Sequence, residues 1–245
     1  MQPKIDINSD LGEGGALDAS IMPFISSCNI ACGGHAGNIK SMQASLDLAK
    51  KNNLKIGAHP SYKDFENFGR KSIKISSLKL YTDLAFQLEN FHEIASKNKL
   101  TVNHWKPHGA LYNDLFFDEA KAEVILELFY DFGFEGELYV APGSKMKELA
   151  LQEGFKISTE AFADRNYQSN LQLVPRSLPK AVITSPEVIA ERLLKMILTK
   201  QVISLEGEII DFDFQTVCLH SDTPNAIQIA SCIHKTLQKN NIQIG

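Results

Sequence analysis

The chain has 245 residues, 44% of them hydrophobic and 22% charged, with a formal net charge of −4. No stretch approaches the ~20 consecutive apolar residues of a membrane helix, and no basic block offers a footprint for nucleic acid, so neither is expected as a partner. Four cysteines, behind an N-terminus without an apolar signal region, are expected to be reduced thiols in a cytoplasmic protein.

Residues 4–10 alternate strictly, with Ile5 and Ile7 on one face and Asp6, Asn8 and Asp10 on the other. This fits an edge strand with a wet face, or a barrel strand whose inward face is polar. Residues 11–15 read as a loop and 17–22 as a short helical stretch. Residues 24–32 are a small apolar run, a second and buried strand. Asn38 is placed to cap a helix carrying Ile39, Met42, Leu46 and Ala49 on one stripe. Residues 54–59 form a third strand and 60–71 a long loop. Ser76 or Ser77 caps a helix to about residue 97, with Leu80, Leu84, Leu88 and Phe91 along its apolar side. The fourth strand starts at Thr101 and stops near Pro107, which has no ladder donor; it places His104, Lys106 and His108 on one face. Then come a helix over 118–131, a strand over 137–141, a loop and helix over 142–153, and a sixth strand over 155–160. An irregular run to residue 179 precedes a helix over 186–199 with Pro at its start. A seventh strand spans 214–220, and Thr223 can cap a last helix over 224–239. Cys28, Cys32, Cys218 and Cys232 are expected to be small buried residues on strands.

Alternating strands and helices imply a parallel sheet with helices outside. Asp10, His35, His59, His108, Glu160 and His220 fall at or just after the ends of six different strands. An open sheet gathers its active groups near one switch point, whereas a barrel collects them from around the ring. The expectation is a single α/β domain over residues 1–245, a TIM-like (β/α) barrel of seven strands, since an eighth is hard to find.

Asp6, Asp10 and Glu13 put three carboxylates in eight residues, suited to metal ligation or acid–base work, or merely a solvated strand end. His35 sits among glycines before a helix; His59 ends a strand. Either could be structural. Lys106, on an apolar strand, must pair or face a polar cavity, with Asp10 or Glu160 as the expected partner. It could hold an anion while His108 shuttles a proton. Arg165 suits a carboxylate or phosphate, or makes a local surface pair with Asp164. His220 could be oriented by Asp222, unless Asp222 caps the last helix. His104 reads as a packed structural histidine, and Asn113 as a loop or substrate contact. No Gly-x-Ser-x-Gly elbow or Walker A loop is present. The residues alone support hydrolysis or proton transfer on a small anionic substrate.

Eight motifs in order carry a resemblance: Asp6-Ile-Asn-Ser-Asp-Leu-Gly-Glu13, Asn29-Ile-Ala-Cys-Gly-Gly-His-Ala-Gly37, Gly57-Ala-His-Pro60, Phe68-Gly-Arg70, Lys106-Pro-His-Gly-Ala-Leu-Tyr-Asn113, Glu160-Ala-Phe-Ala-Asp-Arg-Asn-Tyr167, Val174-Pro-Arg176 and His220-Ser-Asp222. Over nearly its whole length the chain resembles the LamB/YcsF family. Ser9, Asn38 and Ser221 depart from the usual Cys, Asp and Gly of that family. The resemblance implies ATP-dependent opening of 5-oxo-L-proline to L-glutamate, with partner subunits B and C of a multi-subunit 5-oxoprolinase. It also implies a glycoside hydrolase/deacetylase-like barrel, whose deacetylase members use Asp and His for a metal. The expected catalytic residues are Asp10, His59, Lys106, His108 and Glu160. Asn8, Glu13, Asn29, His35, Arg70, Asn113, Asp164, Arg165, His220 and Asp222 are expected to bind substrate. ATP is expected to be bound or used with the partners, and a divalent metal is left open, with Asp10, His35 and His59 as candidates. A stand-alone metal-dependent amide or sugar deacetylase and a non-catalytic substrate-binding component stay as alternatives.

Overall fold

The computed structural model describes residues 3–15 and 17–245; Met1, Gln2 and Ala16 lie outside the described residues. The alternating first segment is β1 (Lys4–Leu11), followed by a one-turn helix α1 (Asp18–Ile21). The second strand, β2 (Ser27–Ala31), starts later than the apolar run suggests, because Met22–Phe24 close a 3-10 turn with Pro23 in it. Next come α2 (Ile39–Lys51), β3 (Lys55–His59), α3 (Ser77–Lys97) and β4 (Val102–Trp105). Asn38 and Ser41 form a reciprocal capping box on α2, and the Ser76 hydroxyl caps α3. Beyond Pro107 the chain makes a short helix, α4 (Gly109–Asp114), then α5 (Glu119–Asp131), β5 (Glu137–Val140), α6 (Lys145–Gln152), β6 (Ile157–Phe162) and α7 (Pro186–Thr199). A small antiparallel hairpin, β7 (Gln201–Ile203) and β8 (Ile209–Asp211), precedes β9 (Thr216–Cys218). The sequence reading did not anticipate it. The last helix, α8 (Ala226–Lys239), starts two residues later than expected. Asn225, in the left-handed region, occupies its cap position, and the Thr223 hydroxyl turns to Asp164 instead. The two-residue strand β10 (Gln243–Ile244) ends the order.

Seven strands close a parallel barrel in the order β1-β2-β3-β4-β5-β6-β9. Closure runs through β9, with Asp6 opposite Thr216 and Asn8 opposite Cys218. The short β10 pairs with Lys4 and Ile5 of β1, below that contact. All seven barrel strands run the same way, so their C-terminal ends share one mouth.

The two faces of the strands bury different chemistry. Between barrel and helices the packing is apolar. Trp105 sits among Phe129, Phe132 and Phe134, its ring stacked on that of Phe134 at 4.6 Å. Fully burying one such side chain is worth about 1.5–3 kcal/mol. Inside the barrel, the polar face of β1 is buried and hydrogen-bonded. Asp6 accepts from Ser26, Ser27, Thr216 and Tyr139. Asn8 donates to Glu160 and Thr216, and Asn29 donates to both Asn8 and Asp10. His104 donates through Nε2 to Asn29 Oδ1 at 2.6 Å and stacks on Tyr139, as its structural reading requires. Gly57 is needed beneath it, since a Cβ there would lie 2.1 Å from His104 Nε2. Cys28, Cys32 and Cys218 are buried on or beside strands; Cys232 is a half-buried free thiol on α8, not on a strand. Among the described residues no helix is long and apolar enough to cross a membrane.

Candidate active site

The mouth holds a cavity of about 740 Å³, large enough for a small ligand. Asp10, His59, Lys106, His108 and His220 all reach its wall. β1 delivers Asp10, β3 ends on His59, β4 leads through Pro107 to His108, and β9 leads to His220.

Lys106 is the electrostatic hub. It is 2% exposed, and its Nζ lies 2.8 Å from Asp10 Oδ1 and 2.9 Å from Glu160 Oε1. Both carboxylates expected as partners are therefore engaged at once. Asn8 Oδ1 at 3.4 Å and Cys218 Sγ at 3.2 Å complete its surroundings. Burial alone would lower the Lys106 ammonium, but Asp10, Cys218 and Glu160 outweigh it and hold it well above the ordinary lysine value. For Asp10, burial is outweighed by the His59 ring and Lys106, which keep its carboxyl well below the usual range. The second oxygen of Glu160 and the Tyr112 hydroxyl are buried without a hydrogen-bond partner among the described residues. Tyr112 lines the cavity, and burial beside Glu160 keeps its phenol protonated.

Three histidines and Glu13 meet beside this hub. His59 Nδ1 lies 2.7 Å from the Lys106 carbonyl oxygen, and His108 Nε2 lies 3.0 Å from that of Phe68. His59 Nε2 and His108 Nδ1 are 3.0 Å apart. His35 stacks on His108 with ring centres 3.5 Å apart, its Nδ1 2.9 Å from Ser61 Oγ and its Nε2 3.0 Å from Glu13 Oε1. The candidate ligand atoms of Glu13, His35, His59 and His108 lie within 4.8 Å of one another, so these four could hold a metal ion. Burial and neighbouring histidines push His108 well below its ordinary value, and burial with His59 pushes His35 down to about 2. Burial and the Asp10 carboxylate raise the Glu13 carboxyl to about 7. Gly69, at φ +61°, lets its backbone cross the rings closely; a Cβ there would meet His35 Cβ at 2.8 Å and His108 Cδ2 at 3.0 Å.

The rim is set by ion pairs. His220 Nδ1 donates to Asp164 at 2.8 Å, so Asp164 orients the ring. Asp222, the expected orienting group, turns to Arg70 and Arg176 instead. Burial alone would raise the Asp164 carboxyl, but His220 and the Thr223 hydroxyl hold it below the carboxylate range. Arg165 is 6% exposed and makes no surface pair with Asp164: its guanidinium donates to the Ala181 and Val174 carbonyls at the cavity wall. Asn113 and Arg70 also line the cavity.

Thus the expected residues converge, but at different depths. Asn8 and Asn29, expected to bind substrate, are fully buried below the cavity, where they position Asp10 and Lys106. Glu160, expected to be catalytic, is likewise buried beneath. Of the expected metal candidates, His35 and His59 do meet, but Glu13 and His108 complete the group while Asp10 turns a carboxylate oxygen to Lys106. Tyr112, Arg176 and Ser61 were not anticipated as site residues; Tyr112 and Arg176 stand inside quoted motifs, whereas Ser61 carried no signal beyond following His59-Pro60.

The LamB/YcsF family model matches residues 5–245. A 5-oxoprolinase A subunit from Haemophilus influenzae (strain PittEE) is 40% identical over 241 residues, covering 98% of either chain. The crystal structure of a lactam utilization protein from Thermus thermophilus superposes with a TM-score of 0.93 at 34% identity, covering 98% of both chains. In fold alone the barrel also resembles the peptidoglycan deacetylase PdaC from Bacillus subtilis (TM-score 0.52, 12% identity, 99% of this chain and 87% of that one). The GH113 β-mannanase AaManA from Alicyclobacillus acidocaldarius is alike at the same level (TM-score 0.54, 9% identity, 97% and 98%).

Proposed function

The chain belongs to the LamB/YcsF family, and from that premise we propose that it opens the lactam ring of 5-oxo-L-proline to give L-glutamate, at the expense of ATP, as the A subunit of a 5-oxoprolinase that also contains subunits B and C. The observation that carries this reading is the full-length likeness to a protein named as the 5-oxoprolinase A subunit.

A lactam is a stable amide, so its carbonyl must be made electrophilic before water can attack. Phosphorylation of the lactam oxygen by ATP would do this. The chain has no Walker A loop, so the nucleotide step is assigned to, or shared with, the partner subunits. The chain's own residues suit the hydrolysis. Arg165, on the cavity wall, can meet the substrate carboxylate with its planar fork. Asp10, kept ionised beside Lys106, accepts a proton from the attacking water. Lys106 and Glu160 hold Asp10 in place from below. His220, oriented by Asp164, delivers the proton that the departing ring nitrogen needs. The C–N bond breaks and the amine of glutamate leaves with its proton; a second water then cleaves the acyl phosphate that results, giving the new carboxylate and inorganic phosphate.

One general acid or base typically contributes ~10²–10⁴-fold. The test is Asp10→Asn and His220→Asn in the reconstituted three-subunit enzyme. Each should lower glutamate formation by at least about 100-fold. Unchanged turnover in both would leave this chain with a binding role only, and turnover without ATP would favour a stand-alone amidohydrolase.

A further inference from the structure

The hydrogen bonds around the histidine cluster fix where its protons are. A carbonyl oxygen accepts but never donates. His59 Nδ1, against the Lys106 carbonyl, and His108 Nε2, against that of Phe68, must both carry hydrogen. In the neutral rings their other nitrogens, His59 Nε2 and His108 Nδ1, therefore turn lone pairs toward each other at 3.0 Å. Ser61 fixes the third ring. Its hydroxyl donates to the Tyr62 carbonyl, so its oxygen accepts from His35 Nδ1. That leaves a lone pair on His35 Nε2, which faces Glu13 Oε1 at 3.0 Å. These three nitrogens and the ionised Glu13 carboxylate lie within 4.8 Å of one another, with no nitrogen or hydroxyl donor among the described residues between them. Such a set repels itself unless a cation sits inside it.

We propose that Glu13, His35, His59 and His108 form a binding site for one divalent transition-metal ion of the zinc class. A tetrahedral ion with ligands at ~2.0–2.1 Å has its corners about 3.3 Å apart. The observed separations are 3.0 Å for His59–His108, 3.0 Å for His35–Glu13, 3.4 Å for His108–Glu13 and 3.9 Å for His59–Glu13. Three imidazoles and one carboxylate suit zinc, cobalt or nickel over magnesium or calcium. Each ring is also tied through its other nitrogen to a carbonyl or hydroxyl, the outer support that ligating histidines need. The neighbouring group of Asp10, Cys218 and His220 is no rival, because the Lys106 ammonium already lies between Asp10 and Cys218. His59 and His108 line the cavity, so an ion held there is within reach of a substrate. It would supply Lewis-acid polarisation of the carbonyl. The inference deepens the lactam reading, yet it stands on the cluster alone and is tested without substrate.

The test uses the full chain, stripped with chelator and reloaded with Zn²⁺ or Co²⁺. Elemental analysis should find about one ion per chain. The cobalt form should show the visible absorption of a four-coordinate site. Metal at a hundredfold excess over its Kd should raise Tm by about 5–10 °C, reversed by chelator. His59→Asn and His108→Asn should lose the ion, while His220→Asn should keep it. Glu13→Gln, which keeps the side chain's size and one acceptor, should weaken binding at least about tenfold and serves if the histidine variants do not fold. A folded wild-type chain that binds no ion and shows no Tm shift would overturn the proposal and leave a shared proton between His59 and His108. So would a Glu13→Gln variant with unchanged affinity. Loss of glutamate formation in a chain that still binds metal would count against the lactam reading instead.

Discussion

Replacing Lys106 by methionine removes the ammonium between Asp10 and Glu160 while keeping most of the side chain's volume. In the native site that ammonium lies 2.8 Å from one carboxylate and 2.9 Å from the other, and Glu160 is fully buried. Deleting one partner of a buried ion pair costs about 3–5 kcal/mol, because the remaining charge is stranded. For a chain of this size each kcal/mol moves Tm by about 2–4 °C, so Lys106→Met should lower Tm by about 6–20 °C at pH 7. Two facing carboxylates without their cation should also take up a proton more readily in the folded state than in the unfolded one. A carboxyl whose folded pKa is raised favours folding below its unfolded pKa, so the deficit of the variant should shrink as pH falls from 7 toward 5. Adding Glu160→Gln to Lys106→Met should recover about 1–3 kcal/mol, read as the coupling energy of a double-mutant cycle. Thermal and urea unfolding of the four proteins at both pH values provide the assay. A Lys106→Met deficit under about 1 kcal/mol, independent of pH and not relieved by Glu160→Gln, would refute the reading of Lys106 as the hub.

Gly57→Ala should destabilise the fold by about 1–3 kcal/mol in urea unfolding, because the added Cβ would lie 2.1 Å from His104 Nε2; Gly15→Ala, with nothing within 4 Å of its Cβ, should stay within about 0.5 kcal/mol. Arg165→Gln should raise the KM for oxoproline about tenfold or more with a smaller change in kcat, the pattern of lost ground-state binding; equal losses in both terms would count against a carboxylate-holding role. Burial alone would raise the carboxyls of Asp6 and Asp164, but both are held below their ordinary range, Asp6 by the Thr216 and Ser27 hydroxyls with Lys55 assisting, Asp164 by His220 with the Thr223 hydroxyl assisting. Their contribution is complete above the unfolded pKa of about 3.9 and is lost as pH falls through the folded values. Asp6→Asn should therefore flatten the acid limb of the stability curve below about pH 4.

The barrel was legible because its cue is local. Polar residues at the ends of six strands announce a shared mouth, and the strict alternation of Ile5 and Ile7 with Asp6, Asn8 and Asp10 announces one strand with two kinds of face. Sequence left undecided whether the polar face was wet; only closure through β9 shows that it is buried and paired. The β7–β8 hairpin carries no such cue, since its strands are three residues long. Within the site, Lys106 and its two carboxylate partners could be anticipated, because a buried cation on a strand demands a counter-charge. Pairings made across the barrel could not. Asp164 and His220 lie 56 residues apart, so the nearby Asp222 looked like the natural partner. Glu13 joined the histidine cluster for the same kind of reason: its loop, not its spacing, carries it to His35 and His108.

The central claim is that this chain supplies the lactam-opening site of a multi-subunit enzyme. Reconstitution tests it most directly: 5-oxoproline and ATP with this chain alone, with subunits B and C alone, and with all three, measuring glutamate and ADP. The account predicts sustained glutamate formation, matched to ADP, only when all three are present. Glutamate at the full rate from subunits B and C without this chain would contradict it.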